Sequence, residues 1–385
     1  MHEDDENANP ILRSGDGTGA AHSKLNLSRS FRQKHPCAQR RADIRGNEMG
    51  SPKFSVLIAN YNNAHLIQQA LDSIKRQTVQ DFEVIVVDDG STDSSRFVIE
   101  AAAASFDGKL RYIYQPNGGV ASARNTAITA SSGDYITFLD PDDYWHDERL
   151  QAHAEILDEH EAVGFCCSDF DRLHEDGHVE RHFSKWVAFP HFPFEQPISR
   201  EDSLRWLLAV NFVGTNGVTI RRSCVEAVGL FNENYKQAED YDYWLRCSAN
   251  TEFYVIPRVL HTYRIHQGGL TKNFLENCEY SQRVIQEYTR TYDGFIKSRG
   301  LEGAVRTAVS RKWYEIGNLN FEGGHTKRAF YSYVMGLESE ISFPNLLRFI
   351  SVAARKTIRL GTFGFLSRER LGPVGISAPT RPRRS

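Results

Sequence analysis

The chain is poor in the features that would settle its class at once. It has six cysteines, none of them spaced C-x-x-C, so neither a zinc knuckle nor a thioredoxin-like site is indicated. Their irregular spacing fits reduced thiols, and Cys166-Cys167, lying in an apolar run, reads as core. No apolar stretch reaches the roughly 18 residues needed to span a bilayer. The N-terminus, Met1-His2-Glu3-Asp4-Asp5-Glu6, lacks the basic start and apolar centre of a secretory signal. Net charge is only −3 over 385 residues, so no global basic field points to nucleic acid. A dehydrogenase would carry G-x-G-x-x-G after its first strand, where this chain has Asn60-Tyr61-Asn62-Asn63. The G-x-x-x-x-G-K-[ST] loop of a P-loop enzyme is missing as well.

What is present is an ordinary globular composition, 40% hydrophobic and 25% charged, consistent with a cytoplasmic protein. Residues 1–50 are polar and without periodicity, and predict a disordered N-terminal extension. From Phe54 onward, short apolar runs alternate with helical spacings. Strands are expected at 54–59, 82–87, 110–114 and 135–139, with helices at 66–77, 94–105 and 118–130. This βαβα order predicts an α/β fold with a mostly parallel, Rossmann-like central sheet and helices on both faces. Such sheets bind ligands beyond the carboxyl ends of their strands. The clusters at 60–63, 88–91 and 140–143 each follow such an end, and so converge on one crevice.

The organisation expected is therefore a catalytic domain over 51–272, a helical region over 273–340 and a basic amphipathic tail over 341–385. In the helical region, 314–321 and 326–337 read as a hairpin joined at Gly323-Gly324. In the tail, Leu346, Phe349, Ile350 and Ala353 share one helical face, and Arg348, Arg355 and Arg359 another. That pattern suits peripheral contact with an anionic membrane surface, or equally a solvated arginine face on a packing helix.

The sharpest single feature is Asp140-Pro141-Asp142 at the mouth of a buried strand, with Asp143 as a third carboxylate. Two carboxylates one residue apart there can reach a divalent cation and the anionic ligand it carries. Taken alone, the same residues also read as a solvated acidic turn.

Four segments taken in order carry more weight. They are Val87-Asp88-Asp89-Gly90-Ser91-Thr92-Asp93, Asn117-Gly118-Gly119 through Arg124-Asn125, Phe138-Leu139-Asp140-Pro141-Asp142-Asp143, and Glu239-Asp240-Tyr241-Asp242-Tyr243-Trp244-Leu245-Arg246. Together they resemble the family 2 glycosyltransferases, inverting enzymes of the A-type nucleotide-sugar fold, over about residues 54–270. The resemblance implies that Asp88 accepts a hydrogen bond from uracil and that Asn60 and Tyr61 line the nucleoside pocket. It implies that Arg124 reaches the nucleotide, that Asp140 lies near ribose or metal, and that Asp142 binds the metal. Tyr263-Arg264-Ile265-His266 resembles the family's Arg-x-His segment and brings His266 to the metal or the pyrophosphate. The oxygen character of the loop predicts Mn²⁺ or Mg²⁺ rather than zinc. Asp240 is the candidate catalytic base, because an acceptor hydroxyl must lose its proton as it attacks the anomeric carbon.

The function implied is transfer of sugar from a metal-bound nucleotide-sugar, UDP-linked, to a carbohydrate or lipid-linked carbohydrate acceptor in surface polysaccharide or glycolipid synthesis. The alternative is a non-catalytic nucleotide-sugar-binding module acting as a scaffold. Asp88, Asp93 and Arg124 also have plain structural readings, as helix caps and a solvated helix face.

Overall fold

The computed structural model describes residues 51–185, 192–266 and 273–340. The expectations for residues 1–50 and 341–385 lie outside the described residues.

Hydrophobic runs long enough for one strand each build the first half of the molecule. Strand β1 (Phe54–Asn60) leads through α1 (Ile67–Lys75) to β2 (Phe82–Asp89), then α2 (Ser95–Ala103), β3 (Leu110–Gln115), α3 (Val120–Ala130) and β4 (Tyr135–Phe138). β1 pairs in parallel with β2 and β4, and β2 with β3. Along β1 and β2 the side chains alternate between two cores. Leu57, Ile85 and Val87 enter one; Val56, Ile58, Val84 and Val86 enter the other. Burial on both faces is why these strands read as continuous apolar runs.

The chain continues through β5 (Tyr144–Trp145), α4 (Arg149–Glu159), β6 (Val163–His174), β7 (Val179–Arg181), β8 (Pro197–Ile198) and α5 (Arg200–Ala209). Then come β9 (Val218–Arg221), α6 (Arg222–Val228), α7 (Glu239–Asn250) and β10 (Glu252–Ile265). Among the described residues the strands form a ten-stranded sheet, its main path β3-β2-β1-β4-β9-β6-β10-β5. The expected α/β sheet with helices on both faces is present, and its parallel order holds from β3 to β4 and again between β6 and β10. β9 runs antiparallel to both of its neighbours, β4 and β6. Its amino-terminal end therefore lies at the carboxyl end of β4, beside the crevice.

Helices α8 (Phe274–Thr291), α9 (Asp293–Ser298), α10 (Glu302–Glu322) and α11 (Thr326–Ser339) follow. Val284, Ile285, Tyr288, Ile296, Leu301 and Val305 join the same core as α5 and α7. The expected hairpin is α10 against α11, closed over Tyr314, Ala329 and Tyr333.

Candidate active site

Register fixes the crevice. Asn60 lies opposite Asp88, Leu57 lies opposite Phe138, and Leu139 N donates to Leu57 O. The ends of β1, β2 and β4 thus open on one side of the sheet.

At the β1–β2 end, Asp88 is buried and already engaged. Its Oδ1 accepts from Ser91 N at 3.0 Å and its Oδ2 from the Tyr112 hydroxyl at 2.8 Å. Asn60 is fully buried; its Nδ2 donates to Ser91 Oγ, while its Oδ1 has no hydrogen-bond partner among the described residues. Tyr61 stands half exposed at the rim. Asp89 supports the neighbouring loop, accepting from Gly118 N and Gly119 N at 2.9 and 2.8 Å. Gly119, at φ 88° and ψ 165°, occupies backbone space reserved for glycine, and the chain turns there into α3. Asp93 takes Ser95 N and Ala64 N, tying the start of α2 to the loop after β1.

One turn into α3, Arg124 is buried rather than solvated. Its Nη1 donates to Glu239 at 2.7 Å and its Nη2 to Asp140 at 3.1 Å. Burial pulls its pKa down, but Asp140, Glu239 and Asp240 outweigh that and hold it above the ordinary value. The arginine therefore joins the loop after β4 to the start of α7. Asn125, next to it, is a structural peg, donating to Phe231 O and Glu233 and accepting from Phe231 N.

In the loop after β4 the three carboxylates separate. Asp140 faces Arg124, and Asp142 Oδ2 meets His266 Nε2 at 2.9 Å, each side chain about a quarter exposed. Asp143 does not reach the crevice. It is fully buried, accepting from Arg264 N at 2.8 Å and from the Asn216 amide. Arg264 also grips Asp142 O at 2.9 Å, and β5 pairs antiparallel with β10, so the Arg-x-His segment is carried to the acidic loop. Burial, then Asp140, raises the pKa of Asp142, with His266 opposing. One carboxylate and one imidazole nitrogen form a donor pair compatible with Mn²⁺ or Mg²⁺, with oxygen ligands to be supplied by an anion and water. Among the described residues, no three His, Cys, Asp or Glu side chains are grouped to hold a metal unaided.

Across from this loop, Ala238 adopts a left-handed conformation at φ 60°, and α7 starts immediately after it. Glu239 and Asp240 thereby point inward, while Tyr241, Tyr243, Trp244 and Leu245 are buried behind them. Asp240 is partly buried, accepting from Tyr241 N at 2.6 Å and from the Thr215 hydroxyl at 3.3 Å. Burial raises its pKa against the pull of Arg124. Burial beside Asp240 pushes Glu239 up to about 7.

Thr215 and Asn216, which belong to none of the four motif segments, are part of this arrangement. Asn216 Oδ1 accepts from Asp140 N at 2.6 Å and its Nδ2 donates to Asp143. Their signal is the polar stop Gly214-Thr215-Asn216-Gly217 before the β-branched run Val218-Thr219-Ile220. It precedes a strand, and only the antiparallel course of β9 brings it to the crevice.

The glycosyl transferase family 2 profile matches residues 55–226. The uncharacterized glycosyltransferase EpsJ of Bacillus subtilis (strain 168) is 40% identical over 265 residues, 66% of this chain and 73% of that one. Among solved structures, S. aureus TarS aligns with a TM-score of 0.57 at 18% identity, over 79% of this chain and 53% of that one. Its residues 1–349 in complex with UDP-GlcNAc give 0.52 at 18% identity, over 81% and 93%. The mannosyltransferase PcManGT from Pyrobaculum calidifontis, in complex with GDP-Man and Mn²⁺, gives 0.53 at 17% identity, over 84% and 85%. At these identities the solved structures bear on fold alone, which they share.

Proposed function

Because the chain belongs to glycosyl transferase family 2, we propose that it moves a sugar from a metal-bound nucleotide-sugar to an acceptor hydroxyl, with inversion at the anomeric carbon. The observation that carries this reading is the facing of two acidic groups across one crevice. Asp140 and Asp142 with His266 lie on one side and Asp240 on the other, with Arg124 bridging Asp140 to the residue before Asp240.

In this reading the base and ribose sit at the ends of β1 and β2. The remaining lone pairs of Asp88 are acceptors suited to the N3–H of uracil, with Asn60 and Tyr61 lining the pocket beside it. A UDP-linked donor is the form proposed. UDP-GlcNAc in the TarS complex supports it, while GDP-Man in PcManGT marks guanosine as the competitor to test. Asp142 and His266 would hold Mn²⁺ or Mg²⁺, which offsets the charge of the departing diphosphate. The Mn²⁺ of the PcManGT complex supports the same assignment. Arg124 keeps Asp140 and Glu239 apart and charge-balanced. Asp240 takes the proton of the attacking hydroxyl, and the elevated pKa gives it more basicity than an ordinary aspartate.

The acceptor proposed is a growing surface polysaccharide or glycolipid, a reading that rests on the breadth of the family. The location proposed is cytoplasmic, with residues 341–385 resting on an anionic membrane face. No helix of the described residues is long and apolar enough to cross a membrane.

The test is calorimetric binding of UDP, GDP, dTDP and CMP with and without Mn²⁺, on wild type and Asp142→Ala. Mn²⁺-dependent binding of UDP alone, lost in the variant, is expected. Binding of GDP in preference to UDP would reassign the donor, and binding of none would remove the transferase reading.

A further inference from the structure

Two consecutive side chains reach the two halves of the crevice. Asn216 spends both ends of its amide on the loop after β4, and Thr215 donates to Asp240. Both residues are buried. We propose that Thr215 and Asn216 are positioning residues, a bridge that sets the acceptor-side carboxylate Asp240 against the donor-side loop 140–143. This inference rests on the transferase reading, with Asp240 as its base.

The bridge is clamped from behind. Asn216 O accepts from Trp145 Nε1 at 3.3 Å and from Arg149 Nη2 at 2.8 Å. Val218 O accepts from the same guanidinium at 3.0 Å and from Thr137 Oγ1 at 2.7 Å. Arg149 is fully buried, and none of its hydrogen bonds in the described residues goes to a carboxylate. Its charge is met by carbonyl oxygens, the Thr137 hydroxyl and the face of Trp145 at 4.0 Å. Burial pulls its pKa down to about 9, so it is still charged at neutral pH. A buried cation without a carboxylate is costly, and what this one holds is the backbone of the bridge.

The flanking glycines leave no slack. A Cβ at Gly217 would come within 3.0 Å of His261 and of Ser168 O, and one at Gly214 within 3.1 Å of Phe170. Held this closely, Thr215 fixes the rotamer of Asp240 and favours its ionised form by donating a hydrogen bond. The other groups bearing on Asp240 are Arg124 from α3, Asp140 from the loop after β4, and its neighbours Glu239 and Tyr241 N–H on α7.

The test uses the full chain with Thr215→Val, Thr215→Ser, Asn216→Ser and Asp240→Asn. UDP binding in Mn²⁺ is read by calorimetry. The titration of Asp240 is read by carboxyl ¹³C NMR, with Asp240→Asn giving the assignment. UDP release from UDP-GlcNAc and from UDP-glucose is followed over the same pH range. Wild type that binds none of UDP, GDP, dTDP and CMP removes the transferase reading and the inference with it; wild type that prefers GDP moves the same measurements to GDP and GDP-mannose. Where wild type binds, Thr215→Val is expected to keep UDP affinity within about twofold, raise the Asp240 titration midpoint and slow UDP release about tenfold. Thr215→Ser is expected to restore the titration. Asn216→Ser is expected to weaken UDP binding in Mn²⁺ about tenfold, the scale of one net hydrogen bond at the loop. An unmoved Asp240 titration in Thr215→Val, or one that serine does not restore, overturns the Thr215 half. Unchanged UDP affinity in Asn216→Ser overturns the other.

Discussion

Asp240 has one carboxylate oxygen on Tyr241 N–H and the other on the Thr215 hydroxyl, and each oxygen keeps a lone pair for an incoming hydroxyl. Replacement by asparagine keeps the shape and removes the basicity. Asp240→Asn is expected to lower the transfer rate about 10²–10⁴-fold while leaving UDP·Mn²⁺ affinity near wild type, as steady-state rates and calorimetry would show. With Asp240 as the proposed base, the acid limb of the transfer profile is expected above the ordinary aspartate range, because burial raises its pKa. Glu239 gives a separate signature. Pushed up to about 7 from its ordinary 4.5, it binds more protons folded than unfolded across that window. Its contribution to stability therefore falls as pH rises from about 4.5 to 7. Melting temperatures over that range are expected to show Glu239→Gln gaining on wild type as pH rises; parallel curves would count against the shift. Asp240, Asp142 and Arg124 stand out as candidates in the sequence because each lies beside a strand end or helix start. The motifs do not show Arg124 clamped between two carboxylates, or Asp143 turned into the core. Both depend on which way a side chain points once distant segments pack.

Elements carry the next level of constraint. The parallel half of the sheet was legible because apolar runs and helical spacings alternate without interruption from Phe54 to Phe138. The short strand β9 was legible but its antiparallel direction was not, since direction leaves no mark in the four residues Val218-Thr219-Ile220-Arg221. With it went Thr215 and Asn216, whose place at the crevice follows only from that direction. The start of α3 shows how one residue sets an element. Gly119 holds a conformation essentially limited to glycine, and its N–H and that of Gly118 are both bound by Asp89. Gly119→Ala meets no atom within 4 Å, so its cost is backbone strain alone. A loss of about 1–3 kcal/mol is expected in denaturant unfolding. Because α3 carries Arg124, UDP affinity is expected to fall as well. A variant as stable as wild type would show that the loop relaxes freely and that Asp89 does not fix it.

At the scale of the whole molecule, the sheet and the C-terminal helices share apolar surface. Ile285, Tyr288, Ile296 and Val305 belong to the core that contains Trp206, Tyr241 and Trp244, and Tyr235 hydrogen-bonds Glu287 across the same junction. A chain cut after residue 272 would expose that face. Burial of each large apolar side chain is worth about 1.5–3 kcal/mol, so losing several such contacts exceeds the usual margin of about 5–15 kcal/mol. Such a fragment is expected to be insoluble or to melt without a cooperative transition. A chain cut after residue 340 keeps every one of these contacts. It is expected to unfold cooperatively and to bind UDP in Mn²⁺ like the full chain. Residues 345–385 hold nine Lys/Arg against one Glu, and each cation near an anionic membrane surface adds about 1 kcal/mol. The shorter chain is therefore expected to bind vesicles containing anionic lipid more weakly than the full chain, with the difference shrinking as salt is raised. Equal vesicle binding by both chains would remove the membrane role proposed for the tail and leave the catalytic reading intact.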